Sequence, residues 1–147
     1  MRLFLPSLFL TGLVGLLAQT ASHPNFTGNW HFDAAKSEVH SRIEVTDRAI
    51  KQDDDFIAID EEIKGRTVSM KCGTDGKSCK AKPDGGNGEV MFYYNGEMLV
   101  ETELLGRDKN HVVKKRLKLA NDGKTMEIEV LHVNPVAPAE KWVFEKQ

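Results

Sequence analysis

The sequence predicts an all-β protein whose C-terminal half is an up-and-down antiparallel meander. Turn-forming residues divide that half at Asn95-Gly96, Arg107–Asn110 and Asp122-Gly123. Between these turns, apolar residues fall on alternate positions: Val90/Phe92/Tyr94, Met98/Val100, Val113/Leu117/Leu119, Met126/Ile128/Val130 and Trp142/Phe144. Because successive side chains of a strand point to opposite faces, each segment becomes a strand with one dry face. Such strands stack as a sandwich or close as a barrel around an apolar interior.

The first half of the chain follows the same pattern less regularly. A first strand is predicted at 26–32, where Phe26, Gly28, Trp30 and Phe32 share one face. Further β-favouring segments are found at Ile43–Ile50, Phe56–Ile59 and Val68–Cys72, with one helical turn between Asp33 and Val39, a turn at Asp53–Asp55 and a flexible loop at Pro83–Gly88. We interpret that loop as a surface loop or as a lid over the end of a barrel.

The N-terminal residues have the pattern of a secretory signal peptide. Arg2 precedes the apolar run Leu3–Ala18, and small residues follow around Ala21 and Ser22, where cleavage is expected. The run is short for a transmembrane helix, so an uncleaved membrane anchor is the less favoured alternative. We therefore predict a signal peptide at 1–22, one domain at 23–147 with no membrane span, and an exported protein, periplasmic or secreted.

Two cysteines, Cys72 and Cys79, flank the segment Gly73–Ser78. In an oxidising compartment such neighbouring thiols are normally paired, and the turn signal Asp75-Gly76 favours adjacent strands that bring them together. A redox-active site or a metal site is less favoured, since the chain has no C-x-x-C motif and no histidine lies close to either cysteine. The predicted role is a structural disulfide.

Composition and motifs give no sign of catalysis or of nucleic-acid binding. With 20 Lys+Arg and 22 Asp+Glu the net charge is −2, and no basic stripe is present. The five histidines lack metal-binding spacing, and no nucleophile or phosphate-binding motif occurs. Asp53–Asp55 lacks the spaced ligands of a calcium loop. We predict no metal, no cofactor and no enzymatic activity, and Asn25-Phe26-Thr27 is a glycosylation sequon only if the source is a eukaryote.

A family resemblance sharpens the fold prediction. Gly28-Asn29-Trp30 resembles the G-x-W motif of the lipocalins, in which the tryptophan closes the base of a barrel. The segment Gly28–Ser37, which includes a D-x-x-K-S sequence, resembles the opening of small exported bacterial lipocalin-like proteins, and the turn Asn121–Met126 and the closing segment Lys141–Lys146 are similar to theirs. The resemblance implies a calycin-type barrel of about eight to ten strands. Most members of that group have no assigned activity.

The chain departs from the family pattern in two places. Lipocalins place a late arginine over the first-strand tryptophan, whereas the late arginines here, Arg107 and Arg116, cannot be assigned to that position. The Arg-x-Tyr clamp of the related fatty-acid-binding proteins is replaced by Trp142-Val143-Phe144, and the segment after Asp33 has no room for portal helices. A fatty-acid carrier of that type is therefore not expected.

The first functional hypothesis is a binder of a small apolar or amphiphilic molecule in the barrel interior. Its expected lining residues are Trp30, Phe32, Phe92, Tyr94, Val100, Ile128 and His132. His132 is interpreted as a ligand-orienting donor or as a satisfied histidine at the rim. Lys115 is in phase with inward residues, so it meets an anionic head group if the interior is a cavity, or lies on the surface if a bulge shifts the register.

The second hypothesis is a protein-binding module, an inhibitor or scaffold with a filled core. Its candidate surface is the face opposite the main apolar row, with Met91, Tyr93 and Leu99, together with the loop Pro83–Gly88.

Overall fold

The computed structural model describes residues 22–41, 45–81 and 87–147. The predicted signal peptide lies outside the described residues apart from Ser22, and so do Ile43 and most of the predicted loop Pro83–Gly88. Within the described ranges, no helix is long and apolar enough to cross a membrane.

The described residues form ten antiparallel strands in a single sheet. The strands are β1 Gly28–Phe32, β2 Val45–Gln52, β3 Phe56–Ile63, β4 Arg66–Gly73, β5 Asp75–Ala81, β6 Gly88–Asn95, β7 Met98–Leu105, β8 His111–Leu119, β9 Thr125–Asn134 and β10 Glu140–Lys146. Their order in the sheet is β4-β3-β2-β1-β10-β9-β8-β7-β6-β5. The sheet curls into a nearly closed barrel, because β1 pairs with β10 and every other ladder joins neighbours in the chain. The predicted all-β up-and-down barrel is confirmed.

The turn between β6 and β7 determines which side chains of β7 point inward. Gly96 has φ +60°, which suits the first position of a two-residue hairpin turn, and Asn95 is paired with Met98. With that register Phe92 stands opposite Glu101. Since directly opposed residues lie on the same face of a sheet, Glu101 points into the barrel beside Phe92.

This register corrects two predictions for β7. Val100 is paired with Tyr93 and Arg116, whose side chains are exposed, so it lies on the outer face and does not line the interior. Leu99 is paired with Tyr94 and is fully buried in the core, so it does not belong to the outer face. The apolar residues Met98 and Val100 indicated the wrong inner face, because the register of the hairpin, not local hydrophobicity, determines which side chains of β7 point into the barrel.

Aromatic and aliphatic side chains fill the interior. The largest fully buried apolar residues are Phe26, Trp30, Ile50, Ile57, Ile59, Phe92, Leu99, Leu117, Met126, Ile128 and Phe144. Each contributes roughly 1.5–3 kcal/mol through the removal of its apolar surface from water. This core extends around the barrel, so all ten strands are held by one hydrophobic cluster.

The segment before β1 closes the base of the barrel. Phe26 is fully buried, and its carbonyl accepts a hydrogen bond of 2.9 Å from the indole Nε1 of Trp30. The amide nitrogen of Phe26 donates to Gln52 Oε1 at 2.8 Å. The hydrogen bond to Phe26 thus holds Trp30 at the base of the barrel, as the resemblance to the lipocalins implied.

Lys146 provides the cation over the first-strand tryptophan. Its Nζ lies 5.3 Å from the centre of the Trp30 ring, a cation–π distance. Gly28 leaves the room for it, since a Cβ at that position would lie 2.5 Å from Lys146 Cε. Neither Arg107 nor Arg116 is needed there, because Lys146 of the last strand lies over the ring where the lipocalin pattern has a late arginine.

The D-x-x-K-S segment docks on β10. Asp33 Oδ1 accepts hydrogen bonds from the amides of Ala35 and Lys36 at 3.0 and 3.2 Å, so the residues after β1 form a capped turn rather than the expected helical turn. Ser37 Oγ donates to the carbonyl of Asp33 at 2.7 Å and accepts from the amide of Val143 at 2.8 Å. These bonds cover the outer face of Val143, which is buried.

The predicted disulfide between Cys72 and Cys79 is confirmed, with 5.7 Å between the Cα atoms. Its surroundings differ from the prediction, because the chain reverses at Thr74 and Asp75 already belongs to β5, which pairs with β6. Among the described residues no ladder joins β4 to β5, the two edges of the sheet. The disulfide therefore links the edges covalently at the seam of the barrel.

Candidate ligand-binding site

Five ionisable side chains meet inside the barrel. They are Arg48 on β2, Glu61 on β3, Glu101 and Glu103 on β7, and Lys115 on β8, and none is more than 3 % exposed. We call this group the interior charge cluster. β2 and β3 stand on one side of β1 and β10 in the sheet, and β7 and β8 on the other, so the cluster crosses the lumen. Full burial of so many charged residues is rare unless they are paired.

The cluster is a chain of ion pairs with Glu101 at its centre. Arg48 Nε donates to Glu61 Oε1, and Arg48 Nη2 lies 3.5 Å from Glu101 Oε2. Lys115 Nζ lies 2.6 Å from Glu103 Oε1 and 3.5 Å from Glu101 Oε1. Glu103 therefore forms a short ion pair with Lys115, whereas Glu101 lies 3.5 Å from each cation, within ion-pair distance but without a hydrogen bond.

Aromatic rings flank both cations. Lys115 Nζ lies 5.6 Å from the centre of the Trp142 ring, and Arg48 Cζ lies 5.8 Å from the centre of the Phe144 ring. Both distances are within the range of a cation–π interaction, which is stronger in a desolvated site. The cations are thus partly shielded on the β10 side.

The surrounding charges keep the central groups ionised. Burial lowers the pKa of Arg48, but the Glu61 and Glu101 carboxylates raise it above its usual value. Burial likewise lowers the pKa of Lys115, and the carboxylates of Glu101 and Glu103 raise it further than burial lowers it. For Glu101, burial raises the pKa, and the charges of Lys115 and Arg48 bring it below the usual value. At neutral pH these three groups are charged.

The centre of the cluster has unused hydrogen-bonding capacity. Arg48 Nη1 and Nη2 and Glu101 Oε1 and Oε2 are buried and have no hydrogen-bond partner within the described part of the chain, and the same is true of the Tyr94 hydroxyl. A buried donor or acceptor without a partner costs about 1–3 kcal/mol, and native proteins contain few of them. The unpaired donors of Arg48 and the unpaired acceptors of Glu101 lie side by side.

A second polar group lies at the end of the barrel opposite the base. Glu140 accepts from Trp142 Nε1 at 2.8 Å and from Ser41 Oγ at 3.1 Å, and His132 Nε2 lies 3.1 Å from its other oxygen. Burial raises the pKa of Glu140, and the hydrogen bonds from Trp142, His132 and Ser41 lower it below the usual value. His132 is thereby oriented at the rim, with a side chain 16 % exposed.

The predicted lining residues differ in their position along the barrel and in their burial. Trp30 lies at the base, Phe92 and Ile128 are fully buried in the middle, and Tyr94 and Phe32 are half-buried. Lys115 points inward, as its phase on the strand predicts, but its partners are Glu103 and Glu101 of the protein itself. Val100 is excluded from the set by its outward position. That the others contact a ligand stays a prediction.

Sequence reasoning missed four members of the cluster, Arg48, Glu61, Glu101 and Glu103. For β7 a signal was available, since a two-residue turn at either Asn95-Gly96 or Gly96-Glu97 places Glu101 and Glu103 on the face of Phe92. For β2 the pattern is ambiguous, since Arg48 is in phase with Ile50 but out of phase with Val45 until the register shift between Val45 and Asp47. For β3 a signal was available, since Glu61 is in phase with the buried Ile59 and Ile63.

The described residues offer two further observations on sites. No group of three or more His, Cys, Asp or Glu side chains among them is arranged to hold a metal ion. A groove of about 410 Å³ lies mainly on the outer face of β7–β10, lined by Glu38, Met98, Arg116, Lys118, Glu127, Glu129, Ala139, Glu140 and Lys141. Two ion pairs lie in this groove, Arg116 with Glu129 at 3.0 Å and Lys141 with Glu127 at 3.1 Å. None of the buried polar atoms without a hydrogen-bond partner in the described part of the chain belongs to a residue that lines it.

Solved structures resemble this barrel despite low sequence identity. One described as "REP1-NXSQ fatty acid transporter" has a TM-score of 0.64 and 12 % identity, covering 82 % of this chain and 95 % of its own. A mutant of the fluorescent protein UnaG has a TM-score of 0.65 and 13 % identity, covering 83 % of this chain and 96 % of its own. No protein-family profile and no curated protein sequence matches the chain. The chain therefore has the fold of a calycin-type β-barrel.

Proposed function

We propose that this protein binds a small amphiphilic molecule inside the barrel, with the polar part of the molecule at the interior charge cluster. The observation that carries the proposal is the adjacency of unpaired donors on Arg48 and unpaired acceptors on Glu101, both fully buried. A ligand that bonds to both recovers hydrogen bonds that the protein alone leaves unmade.

Stability alone does not account for this cluster. A buried ion pair contributes little net stability compared with well-packed apolar residues of the same volume, because two charges must be desolvated. Unpaired polar atoms add to that cost. Groups that reduce stability in this way are commonly retained for binding or chemistry, and they lie here where small β-barrels hold their ligands.

The apolar part of the ligand has partners on both sides of the cluster. Phe92 and Ile128 lie at its level, and the half-buried Phe32, Val68 and Leu105 lie toward the end opposite the base. We propose that the ligand enters at that end, since Phe26 and Trp30 close the other. The fatty acid transporter among the structures of similar fold supports a lipid-like ligand, as an analogy of fold.

Export to the periplasm or to the exterior is part of the proposal. The Cys72–Cys79 disulfide supports it, because disulfides persist in oxidising compartments and are rare in the cytosol. The signal-peptide pattern at 1–22 gives the same indication from the sequence.

Native mass spectrometry of the protein from its own source tests the proposal first. We expect a small molecule bound to each chain, released by solvent extraction, and saturable uptake of an environment-sensitive apolar dye by the emptied protein. Phe92→Leu, which reshapes the interior, should change the dye affinity several-fold, whereas Tyr93→Leu on the outer face should leave it unchanged. A clean protein mass together with no uptake of dye, lipid extract or amphiphile would refute the proposal.

Close packing of the interior favours a second candidate, a filled barrel that binds a protein partner. Arg48, Phe92 and Ile128 are at most 1 % exposed, so side chains occupy the middle of the lumen. The outer face then carries recognition through Met91 and Tyr93, the latter 37 % exposed. Refutation of the binder by the experiment above would leave this candidate, to be tested by mutation of these two residues.

A further inference from the structure

We infer that the interior charge cluster selects a neutral head group that carries both an N–H donor and a carbonyl acceptor, such as a carboxamide, over a carboxylate. This inference rests on the proposed function. It concerns which amphiphile binds, not whether one does.

The charge balance of the cluster disfavours an anion. Arg48 and Lys115 face three carboxyl groups, Glu61, Glu101 and Glu103, a formal balance of one negative charge in a fully buried space. Glu140 adds a further carboxylate toward the end opposite the base, and the hydrogen bonds from Trp142, Ser41 and His132 favour its ionised form. An anionic head group would enter an interior in which carboxyl groups already outnumber the cations, which low dielectric makes costly.

The positions of the unpaired atoms call for a group with two functions. Arg48 Nη2 and Glu101 Oε2 are 3.5 Å apart, and neither has a hydrogen bond of its own. An amide fits both, because its carbonyl accepts from Arg48 while its N–H donates to Glu101. A carboxylate can accept from Arg48 but sets its oxygens against those of Glu101. An ammonium group can donate to Glu101 but leaves the Arg48 donors unpaired.

Lys115 does not rescue a carboxylate. Its Nζ is held by Glu103 at 2.6 Å and lies over the Trp142 ring, so it is already committed within the protein. An anion would have to compete with Glu103 for it, which would leave that carboxylate without its close cation.

A matched set of ten-carbon probes tests the inference at pH 7.5 by dye displacement and calorimetry: decanamide, decanoate and decylamine. We expect decanamide to bind at least about tenfold more tightly than decanoate, the size of effect expected from one unpaired buried group. Decanoate or decylamine as the tightest ligand would overturn the inference and leave the proposed function intact. If neither the probes nor the dye bind, both the inference and the proposed function are refuted.

A charge-matched pair of variants identifies the residue responsible. Glu101→Gln removes one interior negative charge, and Glu129→Gln removes one on the outer face, where the side chain is 51 % exposed. We expect Glu101→Gln to raise the affinity for decanoate and Glu129→Gln to leave the order of the probes unchanged. An unchanged order in both variants would overturn the role of Glu101.

A milder pair keeps the test available if Glu101→Gln does not fold. Glu101→Asp preserves the charge but shortens the side chain by one methylene, which withdraws the carboxylate from Arg48. We expect it to reduce the preference for decanamide over decanoate, whereas Glu129→Asp should leave that preference unchanged. The same preference in both variants would overturn the role of Glu101.

Discussion

Arg48 of β2 and Glu101 of β7 meet inside the barrel from opposite walls, with 3.5 Å between Nη2 and Oε2 and no hydrogen bond to satisfy either atom. An arrangement of this kind makes the interior polar at its centre and apolar around it. It distinguishes this barrel from one filled only by hydrocarbon.

Lys115→Met should destabilise the protein by about 3–5 kcal/mol, because it leaves Glu103 buried without its close cation. The double variant Lys115→Met with Glu103→Leu should recover most of that loss, since both charges are gone. Urea denaturation measures the free energy of unfolding. Arg116→Met is the control, as its exposed pair with Glu129 should contribute no more than about 1 kcal/mol. Equal effects of Lys115→Met and Arg116→Met would contradict the prediction.

Gly28→Ala should move Lys146 away from Trp30. The new Cβ would lie 2.5 Å from Lys146 Cε, and the backbone there has φ +153°, which alanine rarely adopts. We expect a loss of about 1–3 kcal/mol from backbone strain and about 0.5–1 kcal/mol from the cation–π contact. Chemical denaturation of Gly28→Ala, Lys146→Ala and the double variant separates the two, since only the strain should remain in the double variant. Full additivity of the two single effects would show that the side chains do not interact.

Reduction of the Cys72–Cys79 disulfide should loosen the seam of the barrel more than the barrel as a whole. A short loop gives a stabilisation of about 2 kcal/mol, so the Cys72→Ala/Cys79→Ala variant should fold with a lower midpoint. Hydrogen exchange should become faster in β4 and β5, which share no ladder with each other. The ladder of β8 with β9 serves as the internal reference. Uniform acceleration in all strands would contradict a local role of the disulfide.

Stability should fall in acid partly through Glu140. Its pKa in the folded protein is below the usual 4.5, so its contribution is complete above about pH 4.5 and is lost as the pH falls through the folded-state value. Glu140→Gln should therefore show a smaller decrease in the free energy of unfolding between about pH 6 and pH 3.5. Glu127→Gln, an exposed carboxyl on the outer face, is the comparison. Parallel pH profiles for the wild type and Glu140→Gln would refute the assignment.

Much of the fold could be predicted from local pattern. The alternation in Val113–Leu119 and Met126–Val130 was reliable because buried positions alternate with more exposed ones through these segments. The resemblance at Gly28–Trp30 added the closed base, which period-two alternation alone does not imply. Both signals are local in sequence, as is the pairing of Cys72 with Cys79.

The centre of the candidate site could not be predicted in the same way. In β7 the outer residues Met98 and Val100 are more apolar than the inner residues Glu101 and Glu103, so hydrophobicity selects the wrong face. The pairing of Arg48 with Glu101 depends on the closure of the whole barrel, which joins positions far apart in sequence. The local sequence around a buried charge does not indicate which distant residue neutralises it.

The pairing of β1 with β10 has a consequence for the order in which the barrel is assembled. Trp30 is aligned with Lys146, so the first strand has no partner on that side until β10 has been synthesised. The two edges of the sheet, β4 and β5, are instead consecutive in the chain and are joined at Thr74. Closure therefore waits for the meeting of the first and last strands, a non-local step that slows folding.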